Sequence, residues 1–161
     1  MRIEAVVVNA SPLISLFRSG QSNLLPRLFN RIVIPEAVFK EVALDERHDP
    51  AARELGTQMW PIRESVTPSP RVEAWNLGAG ETAVLSFALA APPVRAIIDD
   101  AAARRCARTL AVPMLGTGGV LVLAKRRGLL PSVAEGLEKL RNAGLWWSDD
   151  LVSLLKMEAG E

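Results

Sequence analysis

Five oxygen-bearing side chains could do chemistry together in this chain: Asn9, Glu41, Glu81, Asp99 and Asp100. Asp99 and Asp100 close an apolar, strand-like run, Val-Arg-Ala-Ile-Ile, and a helical pattern follows at once. Asn9 closes another such run. In an open parallel α/β sheet, ligands bind just outside the carboxyl ends of the strands, so these three residues are expected at a binding edge. Glu41 lies four residues after Ala37 and three after Val38, on or beside the apolar stripe of its helix. Glu81 precedes Val84, Leu85 and Ala88, at the start of a second stripe. Both carboxylates are thus expected on inward helix faces that could pack over the strand edge. Such a set suits Mg²⁺ or Mn²⁺, hard cations that take oxygen ligands and keep several waters. Two such ions can clamp an in-line phosphoryl displacement. Without a cation, several carboxylates buried together repel one another at a cost.

Each member also has an ordinary structural reason to be there. Glu81 in a first helical turn complements the macrodipole. Asp99 or Asp100 can cap the helix that follows. Glu41 can pair with Arg31 or Arg53. Asn9 can form an Asx-turn. Their joint arrangement favours the metal reading.

The elements that must position them follow from the pattern. Residues 3–8 read as a buried central strand. Ser11 and Pro12 suit a helix start, lined by Leu13, Ile14, Leu16 and Phe17 and stopped near Gly20. A short helical stripe follows at residues 24–29, then a strand at 32–34. Pro35 opens the helix carrying Glu41. Residues 45–50 form a charged loop, 51–55 a helical piece, and 59–62 an edge strand broken by Pro61. Residues 65–70 form a surface loop. Gly78-Ala-Gly80-Glu81 begins a helix that Pro92-Pro93 ends. The strand at 94–98, a helix from Asp100 to Leu110, a strand at 112–115 and a turn at 116–119 come next. Helices are expected from 120, over 131–142 and over 149–157. Strands separated by helical segments indicate a mostly parallel sheet with helices on both faces.

At 161 residues the chain is expected to form one domain, residues 1–161, with a full core. No apolar run approaches the roughly 18 residues of a membrane span, and the N-terminus lacks the pattern of a cleaved leader. A single Cys and a single His exclude an intrachain disulfide and a Cys/His zinc cluster. A cytoplasmic location fits this usage. The net charge is +1, so any attraction to nucleic acid must come from a local patch.

The segments Val-Val-Asn9-Ala-Ser-Pro-Leu-Ile, Ile-Pro-Glu-Ala-Val-Phe-Lys-Glu41, Gly-Ala-Gly-Glu81, Ile-Ile-Asp99-Asp100-Ala-Ala-Ala-Arg104 and Gly-Thr117-Gly-Gly-Val-Leu resemble the PIN (PilT N-terminal) domain. They are most similar to a prokaryotic PIN-like branch of mostly undetermined function. The likeness runs over residues 3–145. It implies a Rossmann-like three-layer α/β/α sandwich and a Mg²⁺- or Mn²⁺-dependent ribonuclease. It also implies that the protein is often the toxin of a toxin–antitoxin pair and often a homodimer. Carried over by position, Asn9 stands where the family usually has its first Asp. Glu41 stands at the second acid, Glu81 at the third and Asp100 at the fourth, with Asp99 the alternative for that last place. Asn9 can coordinate through its amide oxygen but brings no charge. This departure motivates a second reading: a catalytically impaired PIN-like module that binds RNA or a protein.

Arg104 and Arg108 share a face of the helix after the acids, where they could hold RNA phosphates; a solvated helix face explains them equally simply. Gly116-Thr117-Gly118-Gly119, between strand and helix, could receive a phosphate, with Thr117 as its side-chain candidate. Without a following Lys-Ser/Thr it is no P-loop. Gly78-x-Gly80 is only half of a dinucleotide fingerprint. Lys125-Arg126-Arg127 suits the end of a helix. His48 is expected exposed, Cys106 core-facing, and Trp146-Trp147 covering the core or a dimer contact.

Overall fold

A computed structural model of the chain describes residues 5–44, 50–145 and 147–161. The expected strand start at Ile3, most of the charged loop with His48, and Trp146 lie outside these. In chain order the elements are β1 (Ala5–Val8), α1 (Ala10–Arg18), α2 (Leu24–Leu28), β2 (Arg31–Pro35), α3 (Glu36–Ala43), α4 (Pro50–Glu54) with a 3₁₀ turn (Leu55–Thr57), β3 (Pro61–Glu64) and α5 (Pro70–Glu73). Then follow α6 (Ala79–Ala90), β4 (Arg95–Ile97), α7 (Ala101–Thr109), β5 (Met114–Leu115), α8 (Thr117–Arg126), α9 (Val133–Asn142) and α10 (Asp149–Glu158).

The strands form one sheet in the order β3-β2-β1-β4-β5, and every pair is parallel. Val6, Val7, Val8, Ile32, Val33, Ile34, Ala96 and Ile97 are buried, as expected for parallel strands covered on both faces. The chain adds strands outward from β1 to β3, then crosses back to β4 and β5. Right-handed crossovers therefore send the two sets of connecting helices to opposite faces. The packing agrees: α6 lies against β1, β2, β4 and α7, whereas α1 packs with α8 and α9. The result is the three-layer α/β/α sandwich. Its order reverses between β1 and β4, so the crevice of the fold opens beyond Val8 and Ile97. Helix α3 contacts both α1 and α6 and so spans this carboxyl edge.

Three local expectations change. Helix α1 begins at Ala10 with Asn9 at its N-cap, so Ser11 lies inside the helix and exposed. The edge strand is shifted to Pro61–Glu64, and Met59 is 98% exposed. The glycines after β5 are not a free turn: Gly116 is an N-cap, and Gly118 and Gly119 lie in the first turn of α8. A Cβ at Gly118 would stand 2.7 Å from Leu155 Cδ1, and one at Gly119 would stand 2.8 Å from Leu115 Cδ2. Close approach of α10 and β5 thus explains both residues.

Candidate metal site at the carboxyl edge

Asn9 leaves β1 at the reversal point, and its backbone N–H donates to Ile97 O at 3.1 Å. Its backbone is extended and its side chain makes no capping bond to α1. The residue is only 2% exposed, and Oδ1 is enclosed with no hydrogen-bond partner. A buried carbonyl oxygen left unpaired is costly, and such a group calls for an explanation.

The second member comes from α3. Burying Val38 and Val42 turns this helix so that Glu41 stands at the margin of the apolar face. Glu41 is exposed as a residue, but its carboxylate reaches in towards Gly80. The Cβ position of Gly80 in α6 lies 2.6 Å from Glu41 Oε2 and 3.1 Å from Asn9 Oδ1. Both oxygens face one small volume that exists because residue 80 has no side chain. Partial burial, and then the charge of Glu81, push the Glu41 carboxyl above the ordinary range. Among the described residues no cation pairs with Glu41, neither Arg31 nor Arg53.

Glu81 is the third member. It is half-buried in the first turn of α6, and Oε2 lies 2.5 Å from the Cβ position of Gly78. The carboxylate is thus folded back over the helix start, where the macrodipole favours it. Gly78 and Gly80 both keep space for acidic side chains, a role that the sequence reading did not give them. The Gly-x-Gly-Glu spacing was the available signal.

The two aspartates after β4 diverge. Asp100 is the N-cap of α7 and accepts from Ala103 N at 2.9 Å, with the residue exposed. Asp99 turns towards α8, accepting from Thr117 N at 2.8 Å and from Thr117 Oγ1 at 2.5 Å. Thr117 is fully buried. The anion that the N-terminus of α8 attracts is therefore the chain's own Asp99, and Thr117 holds that carboxylate instead of facing solvent. Arg104 donates from Nη1 to Ile98 O at 3.2 Å. A Cβ at Gly116 would come within 3.0 Å of this nitrogen and 3.1 Å of Asp99 Oδ1. Arg108, one turn on, is exposed.

These residues offer the donors that a hard divalent cation takes: a neutral amide oxygen without a partner, the Glu41 carboxylate beside it, and the Glu81 carboxylate that repels Glu41. Among the described residues no three His, Cys, Asp or Glu side chains are grouped closely enough to hold a metal ion by themselves. A cation held between Asn9, Glu41 and Glu81 would draw on the amide and on water for the rest of its shell. Within those terms the residues fit.

Beside the edge lies a cleft of about 540 Å³ between the start of α8 and α10. Ser11, Asp99, Arg104, Trp147, Leu154 and Glu158 are among the residues that line it. Trp147 Nε1 is enclosed without an acceptor. Elsewhere the basic run is occupied: Lys125 Nζ donates to Pro131 O, Arg126 to Glu158 O, and Arg127 Nη1 to Leu28 O. Cys106 is in the core.

The fold and its strand-edge residues define an α/β domain with an acidic crevice at the sheet reversal. The PIN domain family matches residues 5–161, and the chain belongs to that family. Its members are generally nucleases, typically dependent on divalent metal ions. No curated protein and no solved structure gives a significant match. Among the described residues no helix is long and apolar enough to cross a membrane.

Proposed function

We propose that the protein is a Mg²⁺- or Mn²⁺-dependent ribonuclease, working at the carboxyl edge between β1 and β4. The observation that carries this reading is the meeting of the orphaned Asn9 Oδ1 and the partly buried Glu41 carboxylate over Gly80. When bound, the cation supplies Lewis-acid polarisation of the phosphodiester and activation of water. The residues that would hold it are Asn9, Glu41 and Glu81. Asp100 is a further ligand through the carboxylate oxygen that its capping bond leaves over, and Asp99 is the alternative. Glu41 and Glu81 concentrate negative charge that a cation relieves. Arg104 and Arg108, on one face of α7, would hold flanking phosphates. Thr117 positions Asp99. Toxin–antitoxin pairing, a homodimer and a cytoplasmic location, drawn from the resemblance and composition, belong to the same proposal.

The neutral Asn9 supports a second reading, an impaired PIN-like module that binds RNA or a protein without cutting. One assay series separates the two. Purified protein is incubated with single-stranded RNA and Mn²⁺, alongside Glu81→Gln and Asn9→Asp. Cleavage by the native chain that Glu81→Gln removes supports the ribonuclease. Cleavage that emerges only with Asn9→Asp supports the impaired module. If no variant cleaves and none binds Mn²⁺, the metal site is refuted.

A further inference from the structure

We propose that the exposed face of α10, with the cleft beside it, docks a partner protein through an amphipathic helix that carries Lys or Arg along its apolar stripe. The surface does not depend on whether the carboxyl edge cuts RNA. Among the described residues five large apolar side chains are exposed, and three of them, Leu151, Leu154 and Met157, lie on α10. Their exposure is 38%, 51% and 74%. Residues three apart are neighbours on a helix, so the three form one stripe along α10. The core does not explain them. Leu155 is the buried residue of α10, and it seats against the place where a Cβ of Gly118 would stand. Leu151 and Leu154 instead line the cleft, together with Met114, Leu115 and Trp147. An exposed apolar stripe beside an apolar groove is the geometry that receives an amphipathic helix.

Charge decides what the occupant is. Asp150 lies four residues before Leu154 and Glu158 four residues after it, so both acids flank the stripe. Both are exposed, and among the described residues neither carboxylate has an ion-pair partner. The cations nearby are turned to backbone carbonyls: Arg126 donates to Glu158 O and Arg104 Nη1 to Ile98 O. Lys156, the one cation of α10, follows Leu154 by two residues and so leaves the helix on another side. An apolar stripe with free acids at both ends disfavours a nucleic acid. A second copy of this chain fares no better, because an isologous contact sets Asp150 and Glu158 against the same two acids. A helix with Lys or Arg beside its apolar face covers the leucines and pairs the acids at once.

The test uses three labelled peptides of about 18 residues, long enough to form a helix. The first carries a Leu stripe flanked by Lys and Arg, the second the same stripe flanked by Glu, and the third is the first one scrambled to lose its stripe. Each is titrated with the native chain and followed by fluorescence anisotropy. The basic peptide should bind saturably, and the other two more weakly by roughly tenfold or more. Leu154→Ser changes a half-exposed position with little risk to folding, and should weaken the basic peptide roughly tenfold by removing one apolar contact. The double variant Asp150→Lys/Glu158→Lys should exchange the preference, taking the acidic peptide over the basic one. Failure of the basic peptide to saturate, equal binding of its scrambled form, or binding that Leu154→Ser leaves unchanged overturns the assignment. Sedimentation supplies the last outcome: a native dimer that Leu154→Ser converts to a monomer means that a second copy covers the stripe, and overturns it too.

Discussion

The Asn9 amide oxygen and the Glu41 carboxylate meet across the point where a Cβ of residue 80 would stand, 3.1 and 2.6 Å from it. Asn9 comes from the end of β1 and Glu41 from α3, so the pair exists only when the helix spans the sheet edge. Gly80→Ala tests what that space is for. Alanine in a helix interior is favoured over glycine by up to about 1 kcal/mol, and the Glu41 tip can swing away. The melting temperature should hold or rise. Mn²⁺ affinity should nevertheless fall tenfold or more, because the two oxygens can no longer face one volume. Thermal melts and calorimetric titration read the two effects apart; unchanged Mn²⁺ binding would remove Gly80 from the site.

Asn9→Asp adds a charge to a 2% exposed position beside Glu41, whose carboxyl already feels the charge of Glu81. Without metal the variant should melt lower than the native chain, since three carboxylates then repel in a poorly solvated place. With Mn²⁺ the order should reverse, because ligand binding stabilises in proportion to affinity. Melts with and without MnCl₂ decide it. A variant that melts lower under both conditions places residue 9 outside the metal's reach.

The raised Glu41 carboxyl sets a pH dependence. The folded chain holds this proton more tightly than the unfolded chain, so its contribution to stability is greatest in acid. It declines as pH rises from the usual carboxylate range through the raised value, and is then constant. Glu41→Gln should flatten that decline and melt higher than the native chain at neutral pH without metal. It should also lose most of the Mn²⁺-induced rise in melting temperature. A variant less stable than the native chain at neutral pH would mean that Glu41 is structurally required.

How much of this was legible depended on whether it was local. The strands β1 and β4 read from their apolar runs because both faces are covered, and the last helix, expected over 149–157, reads from its pattern. The edge strand β3 was misplaced because Arg63 and Glu64 look like loop, while Met59 and Trp60 look like core. Here Arg63 pairs with Glu36 at 2.7 and 2.9 Å and lies over Phe39, so its exposed strand face needs no apolar residue. Ser11 had the chemistry of a cap, but Asn9 took the position and spent its side chain elsewhere. The candidate site was legible as residue types and not as contacts. Spacing placed Glu41 at the edge of a stripe; only the packing of α3 on α6 brings its carboxylate to Asn9. Likewise nothing in Asp99-Asp100 says that one carboxylate turns to Thr117 while the other caps α7.

That divergence allows the two aspartates to be separated by experiment. Asp100→Ala removes the α7 cap and should cost about 1 kcal/mol. Asp100→Asn keeps a capping oxygen and should cost little, since Asn and Asp cap almost equally well. If Asp100 is also a metal ligand, Asp100→Asn still loses Mn²⁺ affinity and RNA cleavage. Thr117→Val keeps the buried shape but removes the 2.5 Å hydroxyl bond to Asp99, a hydrogen bond to a charged group worth about 2 kcal/mol. It should therefore lower stability, and it should lower Mn²⁺ affinity only if Asp99 supplies the fourth acid. Urea melts and Mn²⁺ titrations on the three variants give a distinct pattern for each assignment. If Asp100→Asn and Thr117→Val both bind Mn²⁺ like the native chain, the metal rests on Asn9, Glu41 and Glu81 alone.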